Sequence, residues 1–341
     1  MARRVGARSI VGIGVGGALD TAKAIAKLHF TSDKCKGFLK SPGSVMMGEG
    51  SHSGPKVPSG DSLPLVLVPS SAGAGPCANE RCLIWHPEDE VLVPMAEARG
   101  PRNSSSIALV DAELCEHISK EQTVAMAVTA VSACLDAIVA SELDMASSLP
   151  DGKAQLLREL GTLGVSEVGS GLPLVLEGKD MQARELLTSA SLRAGQLCHI
   201  TPAPATQILV RAAGSLLCRH DYTSVCAAVF PHVVQDMVEQ ANSFSGSADV
   251  SEAYSRALSG AANALLGGND LDGSALVAWL ESLQKQKLLP HASLSDLDSM
   301  VTPEEVSTNV EMLLAIEDDS DAADRLFSGS GVRAVAERAI G

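Results

Sequence analysis

Three short apolar segments in the first third of the chain have the pattern of buried β-strands. They cover residues 9–14, 63–69 and 106–110, and each runs into a turn rich in Gly, Ser or Asp. After the first of these turns, Asp20 precedes residues 21–29, in which apolar residues recur at helical spacing. This order of strand, glycine turn and helix predicts an α/β arrangement for the amino-terminal part.

From about residue 118 onward, apolar residues recur with a helical period throughout. The two patterns predict an α/β domain of nucleotide-binding type over residues 1–118 and an all-helical domain over residues 119–341. Residues 41–62 are rich in Ser, Gly and Pro without periodicity, and we expect a surface loop there. The predicted helices cover residues 122–142, 153–164, 181–196, 206–217, 222–242, 250–266, 274–286 and 303–316.

The composition argues against two kinds of partner. The 341 residues carry a formal net charge of −15, which repels phosphate backbones, and Lys and Arg form no stripe interleaved with aromatic residues. Nucleic acid is therefore not an expected partner. Uninterrupted apolar runs such as residues 63–69 and 225–230 fall short of the roughly 20 residues that cross a bilayer, so no membrane span is expected.

Cysteines and amino-terminal arginines bear on the cellular compartment. The eight cysteines are scattered without paired spacing, so we expect reduced thiols rather than a disulfide framework. Arg3, Arg4 and Arg8 are typical of a mitochondrial transit sequence, but the predicted strand follows at once and leaves no room for an amphipathic helix. The cytoplasm and the mitochondrial matrix are both compatible with this pattern.

Two turns place small residues at the ends of predicted strands. The segment from Gly12 to Asp20 reads Gly-Ile-Gly-Val-Gly-Gly-Ala-Leu-Asp, and residues 70–75 read Ser-Ser-Ala-Gly-Ala-Gly. Glycines in such turns either permit close packing or let the N–H groups at a helix start hold an anion such as a pyrophosphate. Both turns should face one edge of the sheet, which is where a dinucleotide lies in folds of this type.

The residues of both turns resemble a known family, the iron-dependent (group III) alcohol dehydrogenases, relatives of dehydroquinate synthase and glycerol dehydrogenase. The segment from Gly12 to Ala26 is similar to the family's Gly-Gly-Gly-Ser…Asp-x-Ala-Lys turn, and residues 68–75 are similar to its Pro-Thr-Thr-x-Gly-Thr-Gly-Ser-Glu. Residues 106–111 resemble the strand that closes the family's nucleotide domain. The resemblance implies a weak or vestigial NAD(P) site at Gly14, Gly16, Gly17, Asp20, Ser70, Ser71 and Gly73.

The chain departs from the family ahead of the first glycine turn. Only eleven residues precede Gly12, whereas members of the family carry the opening strands and helices of the nucleotide fold there. The resemblance therefore implies a truncated sheet with exposed apolar edges. We expect a protein partner, self-association or a separately encoded piece to cover residues 10–13 and 65–68.

The resemblance also implies a site for iron or zinc, in which two of four ligands are replaced. The family uses an Asp, a His four residues later on the same helix face, and two further His on neighbouring helices. Asp136 is retained, but Ala140 stands where the first His belongs, and Thr206, or Gln207 in a shifted register, stands for the second. His220 resembles the last ligand. One carboxylate and one imidazole hold a metal weakly, so we expect iron or zinc to be absent.

Two alternatives concern the histidines. Asp136 and His220 are either remnants of a metal site or a simple hydrogen-bonded pair. The sequence context of His199 and His232 favours hydrogen-bonded core or cap residues. The alternative is that they form a displaced metal site with His220.

The departures from the family decide the expected function. The leading hypothesis is a degenerate, non-catalytic member that serves as a structural or accessory subunit of a larger assembly, with no cofactor or a weakly bound NAD(P). The alternative hypothesis is an NAD(P)-dependent alcohol or aldehyde oxidoreductase completed by a partner chain. Ala140 and Thr206 favour the first hypothesis, and the retained glycine turns favour the second.

Overall fold

A computed structural model gives the structure of most of the chain. It describes residues 2–29, 62–73, 75–79, 82–86, 91–95, 106–143, 152–178, 181–201, 204–217, 220–243, 248–289, 291, 293–317 and 331–340. The predicted loop at residues 41–62 lies outside these residues except for its last position.

The amino-terminal part contains a three-stranded parallel sheet. Its strands are β1 (Ile10–Gly14), β2 (Leu65–Pro69) and β5 (Ser106–Ala108), in the order β1-β2-β5. Ile10 pairs with Leu65, which pairs in turn with Ser106. The three predicted strands are therefore confirmed, with ends that differ by one or two residues.

Helix α1 (Gly16–Leu28) covers one face of strands β1 and β2, whereas the residues of β5 are exposed. Its buried Leu19 and Ala22 form a small hydrophobic cluster with Leu65 and Leu67 of β2. A side chain at Gly12 would place its Cβ 2.6 Å from the Cβ of Ala22, so glycine lets β1 and α1 approach this closely. Close packing is thus one established role of the first glycine turn.

The opposite face of the sheet is exposed in the described part of the chain. Because side chains alternate along a strand, this face collects the residues between those packed on α1. Parallel sheets are usually buried on both faces. We call this apolar surface the bare face; its exposed members are Val11, Ile13, Ile107 and Leu109, at 59%, 66%, 62% and 53% exposure.

An antiparallel hairpin, which the sequence pattern did not predict, lies beside α1. It consists of β3 (Cys82–His86) and β4 (Val91–Met95), with Cys82 paired to Met95 and His86 to Val91. The hairpin was missed because its strands are short and separated by charged residues without a turn motif of the Asn-Gly type.

The rest of the described chain is a helical body around one large hydrophobic core. Helix α2 lies at its centre, with most of its residues buried, and starts at a Ser119 cap whose side chain accepts a hydrogen bond from the backbone N–H of Gln122. The helices are α2 (Lys120–Glu142), α3 (Lys153–Leu176), α4 (Met181–Ile200), α5 (Ala205–Leu216), α6 (Tyr222–Asn242), α7 (Ala248–Leu266), α8 (Gly273–Lys285), α9 (Pro303–Glu317) and α10 (Gly331–Ile340).

Helix α3 continues twelve residues beyond the predicted end at residue 164. Its glycines are points of close helix packing and not ends of the helix. A Cβ at Gly164 would lie 2.6 Å from Sγ of Cys134, and one at Gly169 would lie 2.0 Å from the carbonyl oxygen of Leu265. Tertiary packing therefore overrides the weak helix propensity of glycine here.

Helix α2 also bears on the expectation of no membrane span. By length and composition it is the one described helix apolar enough to cross a bilayer, although Ser and Thr interrupt its apolar runs. However, 94% of its most apolar window is buried inside the fold. The core helix of a soluble protein has the same composition, so α2 needs no membrane to explain it.

Candidate functional site

The first glycine turn joins the end of β1 to the start of α1. Gly14 has φ +140°, a conformation that favours glycine, and the space beside Gly16 and Gly17 is open. No side chain caps the start of α1 at Val15. The predicted cofactor residues Gly14, Gly16 and Gly17 thus surround a helix start that is accessible to an anion.

Asp20, the fourth predicted cofactor residue of this turn, makes structural contacts. Its Oδ1 accepts a hydrogen bond from Nζ of Lys23 at 3.2 Å, and its Oδ2 accepts one from the backbone N–H of Leu83 at 3.1 Å. The buried Lys23 also donates to Oδ1 of Asn79 at 3.3 Å. Burial raises the pKa of Asp20, while Lys23 and the Leu83 hydrogen bond lower it. Asp20 therefore fastens α1 to the hairpin.

The second turn lies beside the first, as the strand order predicted. The backbone N–H of Ser70 donates to the carbonyl oxygen of Gly14 at 3.0 Å, and Ser70 and Ser71 are both half-buried. Gly73 is buried, and a Cβ there would lie 3.2 Å from Thr223 and 3.5 Å from Met126. Gly73 is thus packed against the helical body.

Gly75 packs the second turn against helix α4 of the helical body. It has φ +57°, and an added Cβ would lie 2.0 Å from the carbonyl oxygen of Ser191 on α4. A Cβ at Gly195 would in turn lie 2.0 Å from the carbonyl oxygen of Gly75. Two glycines therefore allow the backbone of the second turn to touch the backbone of α4.

Asp136, the retained metal-site carboxylate, lies in the interior of the helical body. Its side chain is 3% exposed. Oδ1 accepts hydrogen bonds from the backbone N–H of Thr206 at 3.2 Å and from its hydroxyl at 2.9 Å, and Oδ2 accepts one from the backbone N–H of Gln207 at 3.3 Å. Both residues proposed for the second ligand position thus contact the carboxylate. Ala140, one turn further along α2, is buried in the apolar core.

Burial raises the pKa of Asp136 to about 7, although the hydrogen bonds from Thr206 and Gln207 and the charge of Arg211 lower it. Burial is the largest influence because the carboxylate has lost its water.

His220, the other retained metal-site residue, differs from Asp136 in its burial. It is exposed, and its backbone N–H donates to the carbonyl oxygen of Leu217 at 2.8 Å. Within the described part of the chain, the Asp136 carboxylate receives its hydrogen bonds from Thr206 and Gln207 and not from His220. The structure therefore does not form the pair of Asp136 and His220 that the sequence offered as an alternative.

Of the three histidines in the possible displaced metal site, the structure describes the side chains of His220 and His232 only. His232 lies on α6, about 15 Å along the helix axis from its first residue, Tyr222, whereas His220 precedes that residue. The side chain of His199 lies outside the described residues. Among the residues that the structure describes, no group of three or more His, Cys, Asp or Glu side chains is placed to hold a metal ion.

Sequence reasoning missed a polar network that joins α2, α5 and α6. Gln207 is its centre: Nε2 donates to Oγ of Ser132 at 3.2 Å, and Oε1 accepts a hydrogen bond from the hydroxyl of Tyr222. Oγ of Ser132 donates to the carbonyl oxygen of Thr129 and lies 3.3 Å from Sγ of Cys226. Burial raises the pKa of Cys226 to about 11 and that of Tyr222 well above its usual value, so both are neutral near pH 7.

The groups that surround the Asp136 carboxylate do not fit a divalent metal ion. The hydrogen-bond donors of Thr206 and Gln207 point at the two oxygens of Asp136 that a cation would need. They also belong to the first turn of α5, where the positive end of the helix dipole repels a cation. Catalytic zinc sites use three protein ligands, and the described residues supply no imidazole beside Asp136.

Comparisons with known proteins agree with this fold. No protein-family model matches the sequence, and a comparison with curated proteins gives no significant match. Solved structures do match. An alcohol dehydrogenase from an archaeal halo-thermophile of a Red Sea brine pool has a TM-score of 0.74 and 18% identity, and the match covers 99% of this chain and 77% of the dehydrogenase.

Two structures from Thermotoga maritima are also similar to this chain. The NADH-dependent butanol dehydrogenase A has a TM-score of 0.66 and 18% identity, and the match covers 100% of this chain and 78% of the enzyme. An iron-containing alcohol dehydrogenase has a TM-score of 0.60 and 20% identity, and the match covers 98% of this chain and 75% of the dehydrogenase. The chain therefore has the fold of the iron-containing alcohol dehydrogenases.

Proposed function

We propose that this chain is a non-catalytic protein with the alcohol dehydrogenase fold, which acts as an accessory subunit of a larger assembly. The observation that carries the first half of this proposal is the pairing of Asp136 with the start of α5. In enzymes that oxidise alcohols with a metal ion, the ion acts as a Lewis acid on the substrate oxygen. The described residues offer no ligand set for such an ion.

The accessory role is supported by the bare face of the sheet. Four large apolar side chains on this face are more than half exposed, although sheets of parallel strands are generally covered on both faces. A covering polypeptide would remove these side chains from water. This burial contributes about 25 cal/mol of favourable binding free energy for each Å² of apolar surface buried. Exposed Arg4 and Arg8 flank the amino end of β1, so an acidic margin on the partner would complement the face.

A specific observation favours the second candidate, an NAD(P)-dependent alcohol or aldehyde oxidoreductase completed by a partner chain. The space beside Gly16 and Gly17 is open, and these residues start a helix that no side chain caps. One structurally similar enzyme, the butanol dehydrogenase, is NADH-dependent. This candidate explains the first glycine turn but requires an electrophile other than a metal ion held at Asp136.

An activity assay separates the two candidates. The chain, purified alone and together with any protein that co-purifies with it, is assayed with NAD⁺ or NADP⁺ in the presence and absence of Fe²⁺ or Zn²⁺, and reduction of the cofactor is followed over a panel of short alcohols and hydroxy acids. We expect no turnover, because losing the metal removes several kcal/mol of transition-state stabilisation and each 1.4 kcal/mol is about a factor of ten in rate. Turnover, with or without added metal, would refute the non-catalytic proposal.

A further inference from the structure

The start of helix α5 is capped by another helix and not by its own cap residue. Pro204, the residue before the first turn of α5, offers no side-chain hydrogen bond. The first backbone N–H groups of a helix have no partner within it, and side-chain oxygens commonly accept from the second and third. Here the N–H groups of Thr206 and Gln207 donate to Asp136, which is 70 residues away on α2.

The hydroxyl of Thr206 and the amide of Gln207 extend this contact. Oγ1 of Thr206 donates to the same Asp136 oxygen as its own backbone N–H. Gln207 reaches α2 again through Ser132 and reaches α6 through Tyr222. The three helices are thus connected by side chains that are buried, except for the half-buried Tyr222, and unpaired polar groups are costly in such a place.

We propose that this network, Asp136, Thr206, Gln207, Ser132 and Tyr222, is a structural cross-link that replaces a metal ion in holding α2, α5 and α6 together. A metal ion bound by side chains from several helices ties those helices to one point. In this chain, Asp136 binds the positive start of α5 instead of a cation. The stability of the fold is therefore independent of iron and zinc, and it depends on the coupling of Asp136 to Thr206.

A double-mutant cycle on the full-length chain tests this coupling by thermal unfolding. Thr206→Val keeps the shape of the side chain and removes the hydroxyl, which leaves part of a buried carboxylate unpaired. We expect the melting temperature to fall by roughly 2–4 °C. In the background Asp136→Ala, where no carboxylate is present, the same Thr206→Val change should lower it by less than about 1 °C.

Thr123→Val is the matched control. Thr123 is also a buried threonine, on α2, but its hydroxyl donates to the carbonyl oxygen of Ser119 in the same helical turn, at 2.8 Å. Its effect should be equal in the two backgrounds because it lies about 20 Å along the helix from Asp136. If Asp136→Ala does not fold, Asp136→Leu takes its place, since leucine is of similar shape and has no oxygen to accept a hydrogen bond from Thr206.

The metal is tested in the same measurement. The melting temperature of the unaltered chain should agree within about 1 °C in EDTA and in excess Zn²⁺. Equal effects of Thr206→Val in both backgrounds, or a rise of several degrees with Zn²⁺, would overturn the proposal. A stable, metal-independent network in a chain that nevertheless oxidises alcohols would contradict the proposed function and leave the cross-link intact.

Discussion

The sheet and the helical body differ in how completely their apolar side chains are buried. In the helical body, α2 is surrounded on nearly every side, and the buried Asp136 has three hydrogen bonds to α5. In the sheet, α1 covers one face of β1 and β2, and the bare face is exposed. In the described residues, the carboxylate of Asp136 is engaged by the start of α5, whereas the first glycine turn has open space beside Gly16 and Gly17. The two halves therefore point to different tests.

We expect the largest effect on stability from a substitution at the contact between the sheet and the helical body. Gly75→Val would force a side chain into the backbone of α4 at a residue with φ +57°. We expect the free energy of unfolding to fall by more than about 4 kcal/mol in denaturant titrations, or soluble protein to be lost. Gly17→Ala is the control, because the space there is open and the change should cost little or slightly stabilise. An unchanged unfolding midpoint for Gly75→Val would show that the two regions do not pack in this way.

The second effect concerns an attempt to rebuild the metal site. The double change Ala140→His with Thr206→His places two imidazoles at positions that are fully buried. Overpacking costs roughly 1–3 kcal/mol at each site, and the hydroxyl that pairs with Asp136 is lost. We expect lower stability and no gain in bound metal after incubation with Zn²⁺. A gain of one equivalent would mean that Asp136 and His220 share a cleft after all.

The third effect tests the bare face. Ile13→Asp adds a charge at an exposed position, so the stability of the chain alone should change by less than about 0.5 kcal/mol. Its self-association or partner binding, measured by sedimentation, should weaken. Met300→Asp is a matched control, since Met300 is exposed on the helical body. If the unaltered chain is a stable monomer at low micromolar concentration and binds no partner, the accessory role loses its support.

The smallest effect is expected at the glycine turns. Because few residues of the chain would surround the nucleotide, we expect NAD(P) to bind with a Kd no lower than about 1 mM. This Kd corresponds to a binding free energy of some 4 kcal/mol. Isothermal titration calorimetry measures this directly. Micromolar affinity in the chain alone would favour the oxidoreductase candidate.

Periodicity predicted most of the fold because it reports which faces are buried. The helices at residues 122–142 and 222–242 agree closely with α2 and α6. The end of α3 was misplaced, since glycine is read as a helix breaker when its close packing partners are unknown. Helix α10 was also missed, because its short segment follows a polar stretch. The boundary at residue 118 between the two predicted domains stays a prediction.

The candidate site was predictable only in part. The family resemblance marked Asp136 and Ala140 as metal-site positions, four residues apart on one face of a helix, and their descent from a metal site stays a prediction. The partners of Asp136 are backbone N–H groups, which every sequence carries and no motif marks. Likewise, the hydrogen bonds that Asp20 accepts from Lys23 and the backbone of Leu83 could not be read from the sequence, and its contact with a cofactor stays a prediction. Such contacts depend on how distant segments pack.

The most direct test of the central claim is elemental analysis of the full-length chain, purified without chelators and then incubated with Fe²⁺ or Zn²⁺ and desalted. Because the oxygens of Asp136 are engaged by α5, we predict well under one equivalent of either metal per chain. One tightly bound equivalent, lost on the change Asp136→Ala, would contradict the claim that this carboxylate has exchanged a metal ion for the start of a helix.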